Sequence, residues 1–536
     1  MNNTNYRPYI LALIIIIWLV GGVFFFQVAK VYAAEDKKQS DLYQNLQLFN
    51  EVLIKLKQNY VTDLDNEEII KAAINGMLSS TDPHTTFFDA DEFSEFTTQT
   101  EGEFGGLGIQ IDKKGDYITV VSPMEGTPAY KMGLAAGDRI VKVDGISIVS
   151  ATTDEAIKKM RGPVGTKVTL TISRPGVPEP MDFEIVRDII KIKSVPYAFK
   201  LDNGVGYIRL SQFSKNSDNE LKAALDTLEA QGIKGLIIDL RYNPGGLLDQ
   251  AIDTVNEFIG PNKLVVETKG KTPNSNHQYF TRYPRKPKDY PIVVLVNEAS
   301  ASAAEIFAGS LQDWDKGLIA GKPTFGKGSV QQLFPLSNGG GVKITTAYYY
   351  IKSGRCIHKV LNDKLLTGKE VTEAEKQELD KKAHDTIYYT VKGREVYGGG
   401  GITPDLQFEP DLLTNFGVEL RRKNTFFNFA VDYMVKHNHS VPENYRVDDA
   451  TFNQFLDYAR QQDIKFTQAD VDSIATFIRT SLAGEIIGKK YGDQAAYKVT
   501  LQLDTQLQKA AELFDNYKTL DQMFAYAAQQ NKKIKK

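Results

Sequence analysis

Apolar residues change their spacing several times along this chain, and each change predicts an element. Tyr9–Val28 is an uncharged, mostly apolar run of about the length a membrane-spanning helix needs. Asp41–Tyr60 places Leu42, Leu46, Phe49, Leu53 and Leu56 at three- and four-residue steps, which predicts an amphipathic helix. Glu67–Leu78 repeats that pattern, and DPHTTFF (Asp82–Phe88) breaks it with a turn in which His84 reads as a loop residue. An all-helical region is therefore expected over 41–98. From Glu103 the runs shorten: EFGGLGIQI, YITVVSPM, GDRIVKVDG and KVTLTISR read as strands, with two short helical stretches between them and glycines at the turns.

The period changes again after Asp188. Gly204–Leu210, Gly235–Leu240, Ile292–Val296 (IVVLV) and Gly317–Ala320 read as strands, alternating with helices at Asp218–Gln231, Leu247–Ile259 and Ala303–Trp314. That β–α–β rhythm predicts an α/β core with a largely parallel sheet over 189–410. VKITTAYYY, within Gly339–Tyr350, adds a β-rich run near its end. Lys352–Gly393 is charged and poorly patterned, with a helix expected at Glu373–Ala383, and reads as an insertion in the core. Over 411–536 aromatic and charged residues alternate at helical spacing, which predicts a helical domain of its own.

At 536 residues the chain is too long for one core, so several domains are expected. Hydrophobic residues at 42% and charged residues at 24% are ordinary globular composition. A net charge of −3 with short, scattered basic clusters gives no nucleic-acid footprint. The single cysteine, Cys356, excludes an intramolecular disulfide and a Cys-based metal site. Arg7 and the α-amino group precede the apolar run at 9–28, and the mixed-charge KVYAAEDKK follows it. This predicts a cytoplasmic N-terminus and export of the rest. Val31-Tyr32-Ala33 resembles a small-residue cleavage site, so a signal peptide is the alternative. The length of the run favours an uncleaved membrane anchor, with the working part facing the periplasm or extracytoplasmic space.

Candidate chemistry lies in three stretches of the core. In NEASASAAE (Asn297–Glu305), Ser300 and Ser302 stand at a strand-to-helix junction, where free N–H groups and the helix dipole favour developing negative charge. Serine is also a preferred cap, so this stretch alone also reads as a plain helix start. DLRYNPGG (Asp239–Gly246) runs from a strand into a Pro-Gly-Gly turn with free backbone donors. GKPTFGKGSVQQ (Gly321–Gln332) holds Lys327 in a glycine-flanked loop. Its G-x-x-x-x-G-K is close to a phosphate-binding loop, but position 328 is Gly where Ser or Thr should hold Mg²⁺, and a strand-like run follows instead of a helix. No histidine has a credible place in a Ser-His-Asp triad, whereas a Ser-Lys dyad needs none. Lowering a lysine pKa from ~10.4 by roughly three units takes about 4 kcal/mol of desolvation, which a close-packed glycine loop can supply. If Lys327 starts a strand, Gln331 shares its face, which favours Gln331 over Gln332 as the polar partner of the amine.

Two resemblances follow from these motifs. Glu103–Asp188 resembles a PDZ domain. Gly105-Gly106-Leu107-Gly108 matches the position of its carboxylate-binding loop, and the strand from Ile109 is placed to pair with an incoming peptide. From its first helices through the PDZ-like region to GGGGITPD (Gly398–Asp405), the chain resembles the carboxyl-terminal processing, or tail-specific, proteases. The resemblance implies a multidomain α/β protein. It would have a ClpP/crotonase-like α/β protease core, a PDZ domain in series, an N-terminal helical region and a C-terminal helical tail. It also implies that the second serine of SAS-A-x-E, Ser302, is the nucleophile, Lys327 of FGKG the base and Gln331 its assistant. Oxyanion donors would be Ala303 and Gly245 or Gly246. The KMRGPxGTxV element falls on Lys159–Val168, so Arg161 inherits a role coupling PDZ docking to the site. The 352–393 insertion lengthens a region that is compact in many relatives, and the helical tail has no mapped counterpart.

The function expected is a serine endopeptidase that recognises free C-terminal tails of protein or peptide substrates. It would need no metal or cofactor and make no nucleic-acid contact, with a homo-oligomer or adaptor possible. The rival readings are a membrane-anchored PDZ scaffold with an inert protease-like core, and a crotonase-type acyl-transfer enzyme. The PDZ domain and export segment argue against the last.

Overall fold

The computed structural model describes residues 41–124, 126–359, 386–409 and 412–534, with isolated positions at 372, 375 and 378. Tyr9–Val28 and nearly all of the helix expected at Glu373–Ala383 lie outside the described residues. Among the described residues no helix is long and apolar enough to cross a membrane. The chain divides into two compact units, 1–80 and 81–536. In the first, 41–59 is helical and a second helix spans Asn66–Ser79, capped by Asp65, whose carboxylate accepts from the Glu67 and Glu68 amides.

The larger unit is built on a six-stranded sheet. Its order is Tyr197–Lys200, Gly206–Arg209, Leu236–Asp239, Ile292–Val296, Leu318–Gly321 and Leu406–Gln407. The first pair is antiparallel and every later pair is parallel, as the alternation of strands and helices predicts. A parallel sheet must be covered on both faces. On one face Ile208, Ile238, Val294 and Ile319 pack under the helices Leu248–Ile259 and Ala303–Asp313. On the other, Tyr207, Ile237, Val293, Leu295 and Leu318 are covered by Leu507, Phe514, Met523 and Phe524 from the helices Thr505–Asn516 and Leu520–Ile534. The C-terminal region is therefore only partly a domain of its own. Its first helices bury a separate core around Phe426, Phe455 and Ile478, while its last two complete the protease sheet.

A second sheet carries Thr86–Phe88, Gly341–Ile351, Leu264–Gly270, His277–Phe280 and Ser329–Pro335. The region expected to be all helical up to residue 98 thus contains a strand. Thr86–Phe88 gains its partner from Gly341–Lys343, far away in sequence, and the helix Ala90–Glu101 follows it. The PDZ-like region is a sheet in the order Ile109–Lys114, Tyr117–Pro123, Arg139–Val143, Lys167–Ser173, Met181–Val186, with the helix Thr153–Met160 against it. Glu103–Gly106 leaves that sheet and pairs with Asp188–Lys191, closing the region at its two chain ends. The end of the insertion, Ile387–Tyr389, forms a hairpin with Glu395–Tyr397 just beyond it. It is held to the core by Arg394 Nε on Asp315 Oδ1 at 2.7 Å and by Val391 N on the Asp313 carbonyl at 2.9 Å.

Candidate active site

Three neighbouring parallel strands end side by side, and the three chemistry-bearing stretches are their continuations: DLRYNPGG after Asp239, NEASAS after Val296 and GKPTFGKG after Gly321. The carboxyl ends of parallel strands are where an α/β sheet presents its loops to a ligand. Between strand and helix the chain turns sharply at Ser302, whose φ of 55° and ψ of −115° are costly for a residue with a side chain. Ser300 is fully buried and engaged: its hydroxyl donates to the Leu240 carbonyl at 2.8 Å and accepts from the Asn297 amide at 2.9 Å. Ser302 is half-buried at the head of the helix Ala303–Asp313.

Glu305 ties the serine turn to the lysine loop. One carboxylate oxygen accepts from the Ser302 amide at 2.8 Å and the Lys327 amide at 2.9 Å. The other accepts from the Gly326 amide at 2.8 Å and from the Thr324 hydroxyl. Burial pushes its carboxyl up to about 7, against these four bonds, which favour the ionised form. The Tyr349 hydroxyl makes a second tie, standing 3.1 Å from the Ser302 carbonyl and within hydrogen-bond reach of the Lys327 carbonyl. A third is the Phe325 amide on the Ser300 carbonyl at 3.0 Å. In the sequence Glu305 is marked only as the last residue of SAS-A-x-E, where Ser302-x-x-Glu305 has the spacing of a capping box.

Burial, and after it the charge of Lys343, hold the Lys327 amine below the ordinary lysine range; Glu305 and Asp82 pull the other way. Gln331 is half-buried and Gln332 exposed. The Gln331 amide nitrogen donates to Ser329 Oγ at 2.9 Å and Thr345 Oγ1 at 3.2 Å, leaving Oε1 as its acceptor.

The Pro-Gly-Gly turn lies directly against the serine. A Cβ on Gly245 would stand 2.8 Å from Ser302 Cβ and 2.9 Å from the Ala303 nitrogen, and the residue has a φ of +97°. The two glycines left open from the sequence differ in what their amides do. Gly245 N–H is spent on Asn243 Oδ1 at 2.8 Å, while the Gly245 carbonyl accepts from Phe213 N at 2.9 Å. Across that planar trans peptide the Gly246 N–H points away from Phe213, and so remains the donor of the turn. Behind it, Arg241 binds Asp239 on its own strand and reaches Gln506 at 2.9 Å and Asp504 in the C-terminal region. That region therefore holds the turn from behind.

In the PDZ-like region Ile109–Lys114 lies at the end of the sheet order, so one strand edge is unpaired within that sheet. The Leu107 and Gly108 carbonyls accept from the Ala129 and Met124 amides at 2.9 and 2.8 Å. By peptide planarity the N–H groups of Gly108 and Ile109 point the opposite way. Gly106 instead ends the strand paired with Asp188–Lys191. Arg161 caps the helix Thr153–Met160, with its guanidinium 5.1 Å from the Phe104 ring centroid.

Comparison with known proteins decides the family. Family models match residues 204–364 as peptidase family S41, 119–174 as a PDZ domain and 416–476 as the C-terminal helical domain of a probable PDZ-protease. The chain is 42% identical over 351 residues to a carboxy-terminal-processing protease of Bartonella bacilliformis, covering 64% of this chain and 80% of that protein. The chain belongs to the carboxy-terminal-processing proteases of family S41. It is thus a serine-type peptidase with a PDZ domain, and it takes peptide substrates with C-termini. A probable CtpA-like serine protease of Staphylococcus saprophyticus is 31% identical over 475 residues, covering 88% of this chain and 91% of that one. A solved photosystem II D1 C-terminal processing protease is 26% identical, covers 66% of this chain and 86% of its own, and superposes with a TM-score of 0.36. Of the helical tail, for which the sequence motifs offer no counterpart, residues 416–476 have one in that C-terminal helical domain.

Proposed function

We propose that this processing protease cleaves by a Ser302–Lys327 dyad. Ser302 Oγ attacks the scissile carbonyl and passes its proton to the neutral amine of Lys327, which Gln331 Oε1 holds in line. The tetrahedral oxyanion forms at the helix start, where the N–H groups of Ala303 and Gly246 serve as donors and Gly245 lines the approach. Lys327 then returns the proton to the leaving amine, and water activated by the same amine releases the acyl-enzyme. The observation that carries this reading is the shared Glu305 carboxylate, which gathers the Ser302 and Lys327 amides onto one oxygen.

The PDZ domain would capture the substrate's free C-terminus. Its carboxylate would sit on the N–H groups of Gly108 and Ile109, with Gly106 and Leu107 supporting the loop, and its backbone would add to the edge of Ile109–Lys114. Arg161, beside Phe104 at the junction of PDZ domain and core, would relay docking to the site. The apolar 9–28 segment supports an exported enzyme anchored in the inner membrane. The test is turnover of an unstructured peptide with a nonpolar C-terminus by wild type, Ser302→Ala and Lys327→Ala. Both variants should lose cleavage while still binding the peptide. Undiminished cleavage by Ser302→Ala overturns the assignment, and binding without turnover by the wild type leaves a PDZ scaffold.

A further inference from the structure

We propose that Asp82, at the head of the DPHTTFF turn, is a positioning residue for Gln331, acting through the hydroxyl of Thr345. The inference rests on Gln331 being the partner of Lys327. Asp82 and Thr345 are 263 residues apart, yet Thr345 Oγ1 donates to Asp82 Oδ1 at 3.1 Å. The same segment holds Thr345 a second time, with its amide on Thr85 Oγ1 at 3.1 Å. Pairing of Thr86–Phe88 with the strand Gly341–Ile351 brings them together.

The chemistry of this chain of bonds has one consistent direction. Burial works against the Asp82 charge, but bonds from the Thr85 hydroxyl, the His84 and Thr85 amides and Thr345 outweigh it and hold the carboxyl below its usual range. An ionised carboxylate only accepts, so the single Thr345 hydroxyl proton goes to Asp82. The Thr345 oxygen can then only accept from Gln331, which requires the amide nitrogen and not Oε1 to face it. Ser329 Oγ takes the other amide hydrogen. Both N–H bonds of the amide are thereby spent, and Oε1 is left as the acceptor for an N–H of the lysine amine. Without Asp82 the Thr345 hydroxyl is free to donate to Oε1, and the amide can lie either way round.

A register shift completes the arrangement. Val330 is opposite Ala347 but Gln331 is opposite Thr345, so the strand Gly341–Ile351 carries an extra residue at Thr346. Without that bulge Thr346 would face Gln331.

The test is a double-mutant cycle on the full chain, reading kcat and KM for the same nonpolar-tailed peptide. Thr345→Val and Asp82→Ala should each lower kcat about tenfold with KM little changed, and neither should lower it further in a Gln331→Ala background. Asp82→Asn keeps an acceptor oxygen where the His84 and Thr85 amides and the Thr345 hydroxyl converge, and should restore most of kcat although it removes the charge. The proposal is overturned if the losses multiply in the Gln331→Ala background, as general destabilisation would make them. It is equally overturned if Asp82→Asn is as slow as Asp82→Ala, which would make the charge the active element. If Gln331→Ala alone leaves kcat intact, the role of Gln331 falls with it, while Ser302 and Lys327 stand on their own variants.

Discussion

Glu305→Gln separates what holds the site together from what holds the fold together. In the wild type four donors converge on two carboxyl oxygens, each of which can still accept when the group is protonated: the Ser302, Gly326 and Lys327 amides and the Thr324 hydroxyl. An amide can serve only half of them. If its oxygen faces Ser302 and Lys327, its NH₂ faces Thr324 and the Gly326 N–H. The Thr324 hydroxyl can rotate, but the backbone N–H cannot, and an orphaned buried donor costs about 1–3 kcal/mol. Against this stands the cost of the buried charge. The folded-state pKa is raised from 4.5 to about 7, so the contribution of this group to stability is complete below 4.5 and is lost as pH rises through about 7. That swing is about 3 kcal/mol, and the glutamine does not have it. The variant should therefore be less stable than wild type near about pH 5 and as stable or more so near about pH 8, where denaturant unfolding would show the two curves crossing. Activity should not recover with stability. Displacing the Gly326–Lys327 backbone by about 1 Å is expected to cost on the order of 100-fold in kcat/KM at any pH. A variant with more than about half of wild-type turnover, or with a stability curve parallel to wild type across this range, would refute the reasoning.

Two further predictions follow from the same geometry. Gly245→Ala places a methyl 2.7 Å from the Ala301 carbonyl oxygen and 2.8 Å from Ser302 Cβ, at a φ of +97°. It should lower kcat/KM by at least about 100-fold in the peptide assay, with the PDZ affinity for a C-terminal peptide unchanged by titration calorimetry. Lys343→Gln removes the second cause, after burial, that keeps the Lys327 pKa low, leaving Glu305 and Asp82 to raise it. The rate, which rises with pH as Lys327 loses its proton, should then rise at higher pH than in wild type; an unmoved acid limb would mean that Lys343 does not act on the base.

The parts of this account that sequence reasoning reached are those carried by contiguous residues. Ile292–Val296 is apolar at every position because both of its faces are buried, and this fixed the strand before the serine turn to the residue. NEASASAAE and FGKG each hold their chemistry within a few positions, so the absence of a placed histidine and the resemblance to the processing proteases pair them without any knowledge of the fold. What escaped was carried by hydrogen-bond direction or by distant partners. Thr86–Phe88 has only three residues and no strand pattern of its own; it is ordered by the strand Gly341–Ile351. Choosing between Gly245 and Gly246 needed the knowledge that Asn243 occupies one amide. The last two helices carry an ordinary amphipathic pattern, which says that a face is buried but not that it covers the back of the protease sheet. The buried link from Arg241 to Asp504 and Gln506 is invisible for the same reason: both ends read as surface polar residues until the tail folds over the turn.

The central claim, a serine made nucleophilic by a lysine, is tested most directly by trapping the acyl-enzyme. The full chain would be treated with a serine-reactive acylating probe, digested, and mapped by mass spectrometry, with Lys327→Ala in parallel. A single adduct on Ser302, absent from Lys327→Ala, is the predicted result. An adduct on another residue, or equal labelling of Ser302 without Lys327, would contradict it.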